Sequence, residues 1–237
     1  MSGDTPILDQ IAYYRARARE YDEWFYRQGR YDRGTEENAA WFAEAAEVMR
    51  ALRTSGSFGN VLELACGTGI WTRELLHIAE TVTALDAAPE MLALHAQNIP
   101  DRRVRRAQVD LFRWDPAVKY DLVFFSFWLS HVPPERVRDF LNHAAQAVRP
   151  GGQIFLVDSL PDVSSGAADH TEPNPAGTLH ERKLNDGRAF TIVKVFYDPD
   201  NVAAELDRLG FNARGHSTRR FFWWVTGTSA ESEEPLP

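Results

Sequence analysis

The sequence predicts an α/β fold built on a doubly wound, mostly parallel sheet of seven strands, with helices on both faces of the sheet. From Asn60 onward, short apolar runs alternate with stretches of helical periodicity, which is the pattern of a parallel sheet with crossover helices. One apolar run leads directly into a glycine-rich turn that opens a helix. Because ligands bind such sheets at the carboxyl ends of the strands, we expect the functional site there.

Residues 1–55 predict a helical cap that precedes the sheet. Apolar residues recur at steps of four and three from Ile7 to Phe25, which predicts one amphipathic helix over that stretch. A second helix follows, with Trp41 and Leu52 on its buried side. The arginines of this region are interpreted as a solvated helix face with neighbouring carboxylates.

The core of the sheet is expected between residues 56 and 158. Its strands are predicted at residues 61–64, 82–85, 105–109, 122–125 and 154–157. Helices are predicted near residues 70–79, 89–97 and 134–148, and a further helix near 199–209. Crossovers between parallel strands of one sheet are right-handed. Ligands bind such a sheet at the carboxyl ends of its strands, near the switch point where the strand order reverses.

Residues 159–228 predict a lid, a hairpin and the final strands of a single domain that spans 1–237. The stretch after Asp158 is polar, rich in proline and glycine, and long enough to form a lid. Segments 179–184 and 188–196 flank Asn185-Asp186-Gly187, a sequence typical of a β-hairpin. Strands near 214–217 and 221–226 should finish the sheet as an antiparallel pair, and the acidic residues 229–237 should be disordered.

Composition argues against several classes of function. The net charge of −8 argues against a surface that binds nucleic acid. We expect a cytoplasmic protein without membrane partners, because no apolar run approaches the ~20 residues that cross a bilayer and no signal peptide precedes the fold. Cys66 is the sole cysteine and the histidines lack metal-ligand spacing, so no metal site is expected. A homodimer is left open, since an apolar N-terminal helix can pack across subunits.

The glycine-rich turn has the pattern Glu-x-Ala-x-Gly-x-Gly, formed by Glu63, Ala65, Gly67 and Gly69. Glycine lets the backbone turn sharply and brings main-chain N–H groups close to a ligand. A dinucleotide-binding turn would have its third glycine where Thr72 stands. The pattern instead resembles motif I of the class I methyltransferases that use S-adenosyl-L-methionine (SAM). This resemblance implies a Rossmann-like fold, a small-molecule methyl acceptor, and S-adenosyl-L-homocysteine (SAH) as the second product.

Acidic residues stand at the ends of three consecutive predicted strands, at Glu63, Asp86 and Asp110. An acid at the position of Asp86 can accept hydrogen bonds from both ribose hydroxyls of a nucleoside. A row of acids suits a cofactor with amino and hydroxyl donors and a sulfonium, whereas it repels a pyrophosphate. The charge pattern therefore favours SAM over a nicotinamide dinucleotide.

The resemblance covers about residues 60–158 and assigns further residues to the cofactor. Asp110 and Leu111 resemble the family's adenine-contacting pair, and Ser126 lies in the segment similar to motif IV, beside the methionine part of SAM. Tyr14 and Arg19 resemble residues that small-molecule members place over the carboxylate of the cofactor. The predicted cofactor-binding residues are Tyr14, Arg19, Glu63, Ala65, Gly67, Gly69, Asp86, Ala87, Met91, Asp110, Leu111 and Ser126.

The acceptor side is predicted from residues expected around the transferred methyl group. Methyl transfer from a sulfonium is an in-line displacement that proximity and alignment can drive, so a base is optional. His131 follows the fourth strand, and its ordinary pKa of ~6.5 makes it the candidate catalytic base, with a hydrogen-bonded structural histidine as the alternative. Because aromatic residues concentrate in the segments that should wall the site, we expect a largely apolar or aromatic acceptor. The candidate acceptor-binding residues are Tyr21, Tyr26, Trp128 and His180.

Two alternative functions stay open at the level of sequence. An NAD-dependent oxidoreductase would share the sheet, but the short-chain type needs a Tyr-x-x-x-Lys pair, and no tyrosine here has a lysine four places on. A SAM-binding protein without turnover would share the turn and the acids. Titration with SAM and with NAD distinguishes a methyltransferase from an NAD-dependent oxidoreductase. Formation of SAH distinguishes it from a SAM-binding protein without turnover.

Overall fold

The computed structural model describes residues 5–169 and 177–231. Its helices are α1 (Thr5–Arg17), α2 (Tyr21–Phe25), α3 (Thr35–Arg53), α4 (Ile70–Leu75), α5 (Pro89–Asn98), α6 (Pro134–Gln146) and α7 (Pro199–Arg208). Its strands are β1 (Phe58–Leu64), β2 (Ala79–Asp86), β3 (Val104–Gln108), β4 (Tyr120–Ser126), β5 (Val148–Ser159), β6 (Leu179–Lys183), β7 (Ala189–Val193), β8 (Phe211–Ser217) and β9 (Phe222–Ser229). Each core strand and helix that the sequence predicts is therefore present, with shifts at its ends.

Seven strands form one sheet in the order β3-β2-β1-β4-β5-β9-β8. The pairings from β3 through β5 are all parallel. β9 pairs antiparallel with both β5 and β8, which confirms the mostly parallel sheet with an antiparallel last strand. The chain moves outward from β1 to β3 and then returns to β4, so the carboxyl ends of β1 and β4 mark the switch point.

The sheet is buried on both faces because its central strands are apolar at consecutive positions. In β4, Leu122 and Phe124 join the core cluster that includes residues of α3 and α4, whereas Val123 and Phe125 join the cluster with residues of α6 and α7. Successive side chains of a strand point to opposite faces, so one apolar run packs into the hydrophobic cores on both faces of the sheet. The helices thus lie on both faces, as predicted, and hold the strand ends in place.

The N-terminal helix is shorter than predicted. α1 ends at Arg17, a 3-10 turn follows, and α2 is a separate short helix, so the prediction of one helix up to Phe25 is wrong. The physical reason is tertiary: α1 packs along β7, whereas Asp22 of α2 accepts a hydrogen bond from Thr68 in the glycine-rich turn. The break between the two helices lets both contacts form at once.

β6 and β7 form the predicted hairpin as a separate two-stranded sheet, and α1 binds its free edge. Asp9 Oδ2 accepts the N–H of Thr191 at 3.2 Å, and Gln10 Oε1 accepts the N–H of Val193 at 3.1 Å. Gln10 Nε2 also donates to the carbonyl of His131 at 3.0 Å. These bonds join α1, the hairpin and the segment after β4 into one cover over the strand ends.

The loop of residues 162–167, part of the predicted lid, is held through its backbone. Trp24, Arg27 and Arg33 donate hydrogen bonds to its carbonyl groups. The shortest of these bonds joins Arg27 to the carbonyl of Ser164 at 2.6 Å. These bonds attach the loop to α2 and the segment after it, and residues 170–176 of the predicted lid lie outside the described chain.

The C-terminal end of the described chain continues the sheet. β9 ends at Ser229, and the backbone of Ala230 bonds to Gly210 and Gly151. Residues 229–231 are therefore ordered and not part of a disordered tail, while residues 232–237 lie outside the described chain. Within the described ranges, no helix combines the length and apolar character needed to cross a membrane.

Candidate active site

The turn after β1 has a backbone conformation that few side chains tolerate. Gly67 and Gly69 have φ values of 55° and 95°, and Ala65 has a φ of 53° despite its side chain. Phe127, which follows the neighbouring β4, also has a positive φ, of 51°. Such a conformation costs of order 1–3 kcal/mol for a non-glycine residue and persists where the surroundings impose it, often at functional sites. Both strained residues lie at the switch point of the sheet.

Asp86 at the end of β2 ties the glycine-rich turn to α5. Its Oδ2 accepts the N–H of Gly67 at 2.9 Å, and its Oδ1 accepts the N–H of Ala88 at 2.8 Å. Burial raises the pKa of Asp86, and hydrogen bonds from the backbone oppose that shift. The residue also lies on the wall of a cavity. It therefore stabilises the turn and can also contact a ligand in that cavity.

This cavity, which we call the strand-end cavity, lies between the strand ends and α1. Its lining includes Asp110 and Leu111 after β3, and Ser126 at the end of β4. Among the described lining residues, the carboxylates are Asp86 and Asp110, and no lysine or arginine joins them. An acidic wall of this kind favours a cationic ligand. The full lining is Gln10, Ile11, Tyr14, Tyr21, Ala65, Gly67, Asp86, Ala87, Ala88, Met91, Asp110, Leu111, Phe112, Ser126, Phe127, Trp128 and His131.

Glu63 lies behind the turn and is not among the residues that line the strand-end cavity. Thr72 Oγ1 donates to its Oε2 at 2.5 Å. Arg106 Nε donates to His95 Nδ1 at 2.7 Å, so the proton of His95 is on Nε2, which donates to Thr72 Oγ1 at 2.8 Å. Burial raises the pKa of Glu63 to about 8, although the Thr72 bond opposes this shift. The side chain therefore supports the turn from beneath through an ordered chain of hydrogen bonds.

A second cavity, which we call the hairpin cavity, lies between α1, the segment 159–167 and the hairpin. It shares Tyr14, Tyr21, Phe127 and His131 with the strand-end cavity, so the two cavities adjoin at these side chains. Its remaining lining residues are Tyr13, Arg17, Trp24, Tyr31, Ser159, Leu160, Asp162, Val163, Ser165, Gly166, Ala167, Arg182, Ile192, Lys194 and Phe196.

Tyr14 and His131 form a hydrogen-bonded pair where the cavities adjoin. His131 Nδ1 lies 2.7 Å from the carbonyl oxygen of Val193, which can only accept, so Nδ1 carries the proton. Nε2 therefore accepts the hydroxyl proton of Tyr14, with 2.7 Å between the heavy atoms. Burial and the ammonium of Lys194 lower the pKa of His131 to about 3. The ring is thus neutral near pH 7, and both of its nitrogens have partners.

Two arginines line the hairpin cavity, Arg17 from α1 and Arg182 from β6. Neither forms an ion pair with a carboxylate of the described residues. Arg17 instead lies over the rings of Tyr13, Tyr21 and Tyr31, with 5.2 to 5.7 Å between its guanidinium carbon and the ring centroids. The cavity wall therefore carries two positive charges that carboxylates of the described chain leave unneutralised.

Lys194 is a third cation on the wall of the hairpin cavity and has several partners. Its Nζ donates to the hydroxyls of Ser159 at 2.7 Å and Ser130 at 2.9 Å. It also lies 3.4 Å from the buried carboxylate of Asp158. These contacts join the segment after β7 to the segment after β4 and to the end of β5, and they offset part of the positive charge.

The structure places most of the predicted site residues on a cavity wall. Tyr21 lines both cavities, and Trp128 lines the strand-end cavity. The other two predicted acceptor-binding residues line neither: Tyr26 is exposed after α2, and His180 is buried in β6 near Phe196. The predicted cofactor-binding residues on the strand-end wall are Tyr14, Ala65, Gly67, Asp86, Ala87, Met91, Asp110, Leu111 and Ser126.

Three predicted cofactor-binding residues do not line the strand-end cavity. Glu63 lies behind the turn, and Arg19 is exposed on the 3-10 turn between α1 and α2. Gly69 faces α5, where a Cβ would lie 2.6 Å from the side chain of Ile99. Gly69 therefore permits close packing of the turn against the end of α5, which is a structural reason for glycine at that position.

The three cations of the hairpin cavity are not among the site residues predicted from the sequence. Arg17 lies in the arginine-rich stretch that was interpreted as a solvated helix face. Arg182 and Lys194 belong to the hairpin and carry no motif, so no local pattern marks them. Their meeting depends on the packing of α1 against β7.

Comparison with known proteins agrees with this architecture. Residues 61–152 match the family described as the methyltransferase domain. The structure is similar to those of DhpI in its complex with SAH and in its complex with SAM and HEP, with TM-scores of 0.76 and 0.78. Sequence identity is 35% and 36%, over 97% and 96% of this chain and 99% of the DhpI chain in both cases.

Two relatives of known sequence extend the comparison. An uncharacterised methyltransferase of Bacillus cytotoxicus is 26% identical over 88% of this chain and 95% of its own length. A malonyl-[acyl-carrier protein] O-methyltransferase of a Paenibacillus species is 30% identical over 56% of this chain and 51% of its own length. The second match therefore spans about half of that relative.

A doubly wound sheet with a glycine-rich turn and acids at its strand ends defines a class I SAM-dependent methyltransferase. The chain belongs to this family, as its similarity to DhpI over nearly the full length of both chains shows. SAM is the cofactor, and the strand-end cavity fits it, because the carboxylates of Asp86 and Asp110 match a sulfonium with amino and hydroxyl donors. The comparisons do not favour an NAD-dependent oxidoreductase.

Proposed function

We propose that this enzyme transfers the methyl group of SAM to an oxygen of a small acid, whose anionic group binds in the hairpin cavity. The observation that carries the proposal is that Arg17 and Arg182 line this cavity without an ion pair to a carboxylate of the described residues. Partly buried charges without a counter-ion are costly, and an anionic ligand removes this cost. The sequence predicts a largely apolar or aromatic acceptor. We propose a small acid in its place, whose remaining atoms contact the aromatic residues of the cavity wall.

The state of His131 supports an acceptor that is already deprotonated. An alcohol or a protonated amine would need a group to take its proton, but both ring nitrogens of His131 have partners and its pKa is lowered to about 3. The ammonium of Lys194 and the two arginines also disfavour a cationic acceptor. We therefore assign His131 a positioning role toward Tyr14 in place of the base predicted from the sequence.

SAM, when bound in the strand-end cavity, supplies a methyl group on a positively charged sulfur. Asp86 and Asp110 would hold its donors, and Gly67 would leave room for it. An oxyanion that accepts the methyl group becomes a neutral ester oxygen, while the electron pair of the broken S–C bond stays on sulfur, so no proton leaves. Loss of the negative charge weakens the attraction to Arg17 and Arg182 and favours release of the product.

The relatives support oxygen as the accepting atom. The Paenibacillus relative is an O-methyltransferase by name. DhpI has been observed in a complex that contains both SAM and HEP, so a fold of this kind can hold the methyl donor together with a second molecule.

The proposal is tested by measuring SAH formation with a panel of small carboxylic, phosphonic and sulfonic acids and with matched neutral esters and amines. We expect turnover with acids, and a product heavier by one methylene. Arg182→Gln should raise the KM of the acid roughly 10- to 100-fold, the effect of a lost charged hydrogen bond, and leave the Kd of SAM unchanged. Arg188→Gln is the matched control, because Arg188 lies in the same hairpin, is exposed, and pairs with Asp186.

Turnover with amines or neutral alcohols but not with acids would contradict the proposed acceptor. An equal KM for wild type and Arg182→Gln would contradict the proposed binding site. Bound SAM with no SAH formed from any acceptor in the panel would support the non-catalytic alternative.

A further inference from the structure

Two hydroxyl groups in the wall of the hairpin cavity lack hydrogen-bond partners. Within the described chain, the buried side-chain hydroxyls that have no hydrogen-bond partner are those of Tyr13 and Ser165. Both residues line the hairpin cavity, although one lies on α1 and the other on the loop of residues 162–167. The two residues thus come from distant segments to the wall of one cavity, and their hydroxyls lack a partner within the described chain.

Tyr13 is held in place by packing and not by its hydroxyl group. The residue is fully buried, and its ring lies 5.1 Å from that of Tyr14 and 5.7 Å from that of Phe190, between centroids. The guanidinium of Arg17 lies 5.5 Å from the ring centroid. Burial raises the pKa of Tyr13, so the phenol stays protonated near pH 7 and can donate a hydrogen bond.

Ser165 is held in place by its backbone. Its carbonyl accepts from Trp24 Nε1 at 2.9 Å and from Arg27 at 3.4 Å. Its N–H donates to the carbonyl of Asp162 at 3.1 Å. The backbone groups are thus paired on both sides, while the hydroxyl group is not.

We infer that Tyr13 and Ser165 are specificity-determining residues that donate hydrogen bonds to the oxyanion of the acceptor, alongside Arg17 and Arg182. This inference rests on the proposed function and adds two residues to the proposed site. Leaving a buried hydroxyl unpaired costs free energy, and an oxyanion with several acceptor lone pairs removes that cost at both positions. A ligand without such oxygens leaves both hydroxyls unpaired, so the site discriminates against it.

The test uses Tyr13→Phe and Ser165→Ala, with inorganic phosphate as the probe of the anion site in the SAH-bound protein. Calorimetric titration should show a phosphate Kd roughly 10-fold weaker in each variant, as expected for a lost hydrogen bond to a charged group. The Tm of each ligand-free variant should equal or exceed that of the wild type, because the change removes an unpaired buried hydroxyl. Tyr26→Phe, which alters an exposed tyrosine away from both cavities, should change neither quantity.

The outcomes separate this inference from the proposed function. An unchanged phosphate Kd in both variants, together with weaker binding in Arg182→Gln, would overturn the role of the hydroxyls and leave the anionic acceptor in place. A lower Tm in the variants would show that the hydroxyls have structural partners, which also overturns their role. No binding of phosphate to the wild type, or equal binding to Arg182→Gln, would overturn both proposals.

Discussion

The protonation state of His131 depends on its two neighbours more than on the ordinary pKa of histidine. The carbonyl of Val193 holds the proton on Nδ1, and the hydroxyl of Tyr14 donates to Nε2. Because its own proton is directed to His131, the oxygen of Tyr14 offers lone pairs to the two cavities that it lines. A residue that sequence reasoning selects as a base is thereby placed to orient a tyrosine.

Replacement of His131 tests this positioning role. Because the pKa of His131 is lowered to about 3, we expect kcat to show no inflection near pH 6.5 with an acceptor that stays ionised between pH 5 and 8. His131→Phe should lower kcat roughly 10-fold through loss of alignment, with the same pH profile and an unchanged Kd for SAM. Initial rates across this range measure both effects. A rising limb near pH 6.5 that the variant lacks would identify His131 as a base.

Glu63 couples the stability of the ligand-free protein to pH. Its pKa is raised from 4.5 to about 8, so between these values the folded protein holds a proton that the unfolded chain has lost. The free energy of unfolding should therefore fall as pH rises through this window, by at most about 1.4 kcal/mol per pH unit from this group. Glu63→Gln should lack this component, which denaturant unfolding at pH 5, 6.5 and 8 measures. Glu80→Gln, at an exposed position of β2, should keep the pH dependence of the wild type, and an equal slope in Glu63→Gln would contradict the prediction.

At the scale of elements, the buried side chain of Gln10 joins α1 to two other segments at once. Gln10 is almost fully buried and bonds to β7 through Val193 and to the segment after β4 through the carbonyl of His131. On the outer side of the helix, Arg15 pairs with Glu90 of α5 at exposed positions, where an ion pair contributes little. The position of α1 therefore sets the place of Tyr13, Tyr14 and Arg17 over both cavities.

Gln10→Leu tests this attachment. The change leaves a buried carbonyl and a buried N–H without partners, and we expect the free energy of unfolding to fall by about 2 to 4 kcal/mol. The KM of the acceptor should rise as well, since α1 carries Arg17. Leu8→Ala is the control on the same helix, because Leu8 is 65% exposed and should change stability by less than about 0.5 kcal/mol. Equal stability of Gln10→Leu and the wild type would show that packing alone holds α1.

Across the whole molecule, the two cavities carry opposite charge. The strand-end cavity has acids on its wall and the hairpin cavity has cations, within a chain of net charge −8. The strand-end cavity thus matches a positively charged donor, and the hairpin cavity matches the anionic acceptor that we propose. The fold brings the two cavities together at four shared side chains, which is where methyl transfer would take place.

The fold and the cofactor half of the site could be predicted because their signals are local. The apolar run of β4 and the glycine-rich turn span a few residues each, and parallel pairing brings Asp86 beside Gly67 at one edge of the sheet. The acceptor half could not be predicted in this way. Arg17 and Arg182 meet only because α1 packs on the hairpin. Glu63 and Gly69, predicted to bind the cofactor, do not line the strand-end cavity.

By itself, the sequence determined the sheet, the switch point and the methyl donor, because hydrophobic periodicity, glycine conformation and acids at strand ends act over short distances along the chain. The tertiary structure alone decided the break after Arg17, the positive charge of the hairpin cavity and the occupied nitrogens of His131. These features depend on side chains and carbonyl groups from distant segments, and their burial, charge and hydrogen bonding exist only when those segments are packed together.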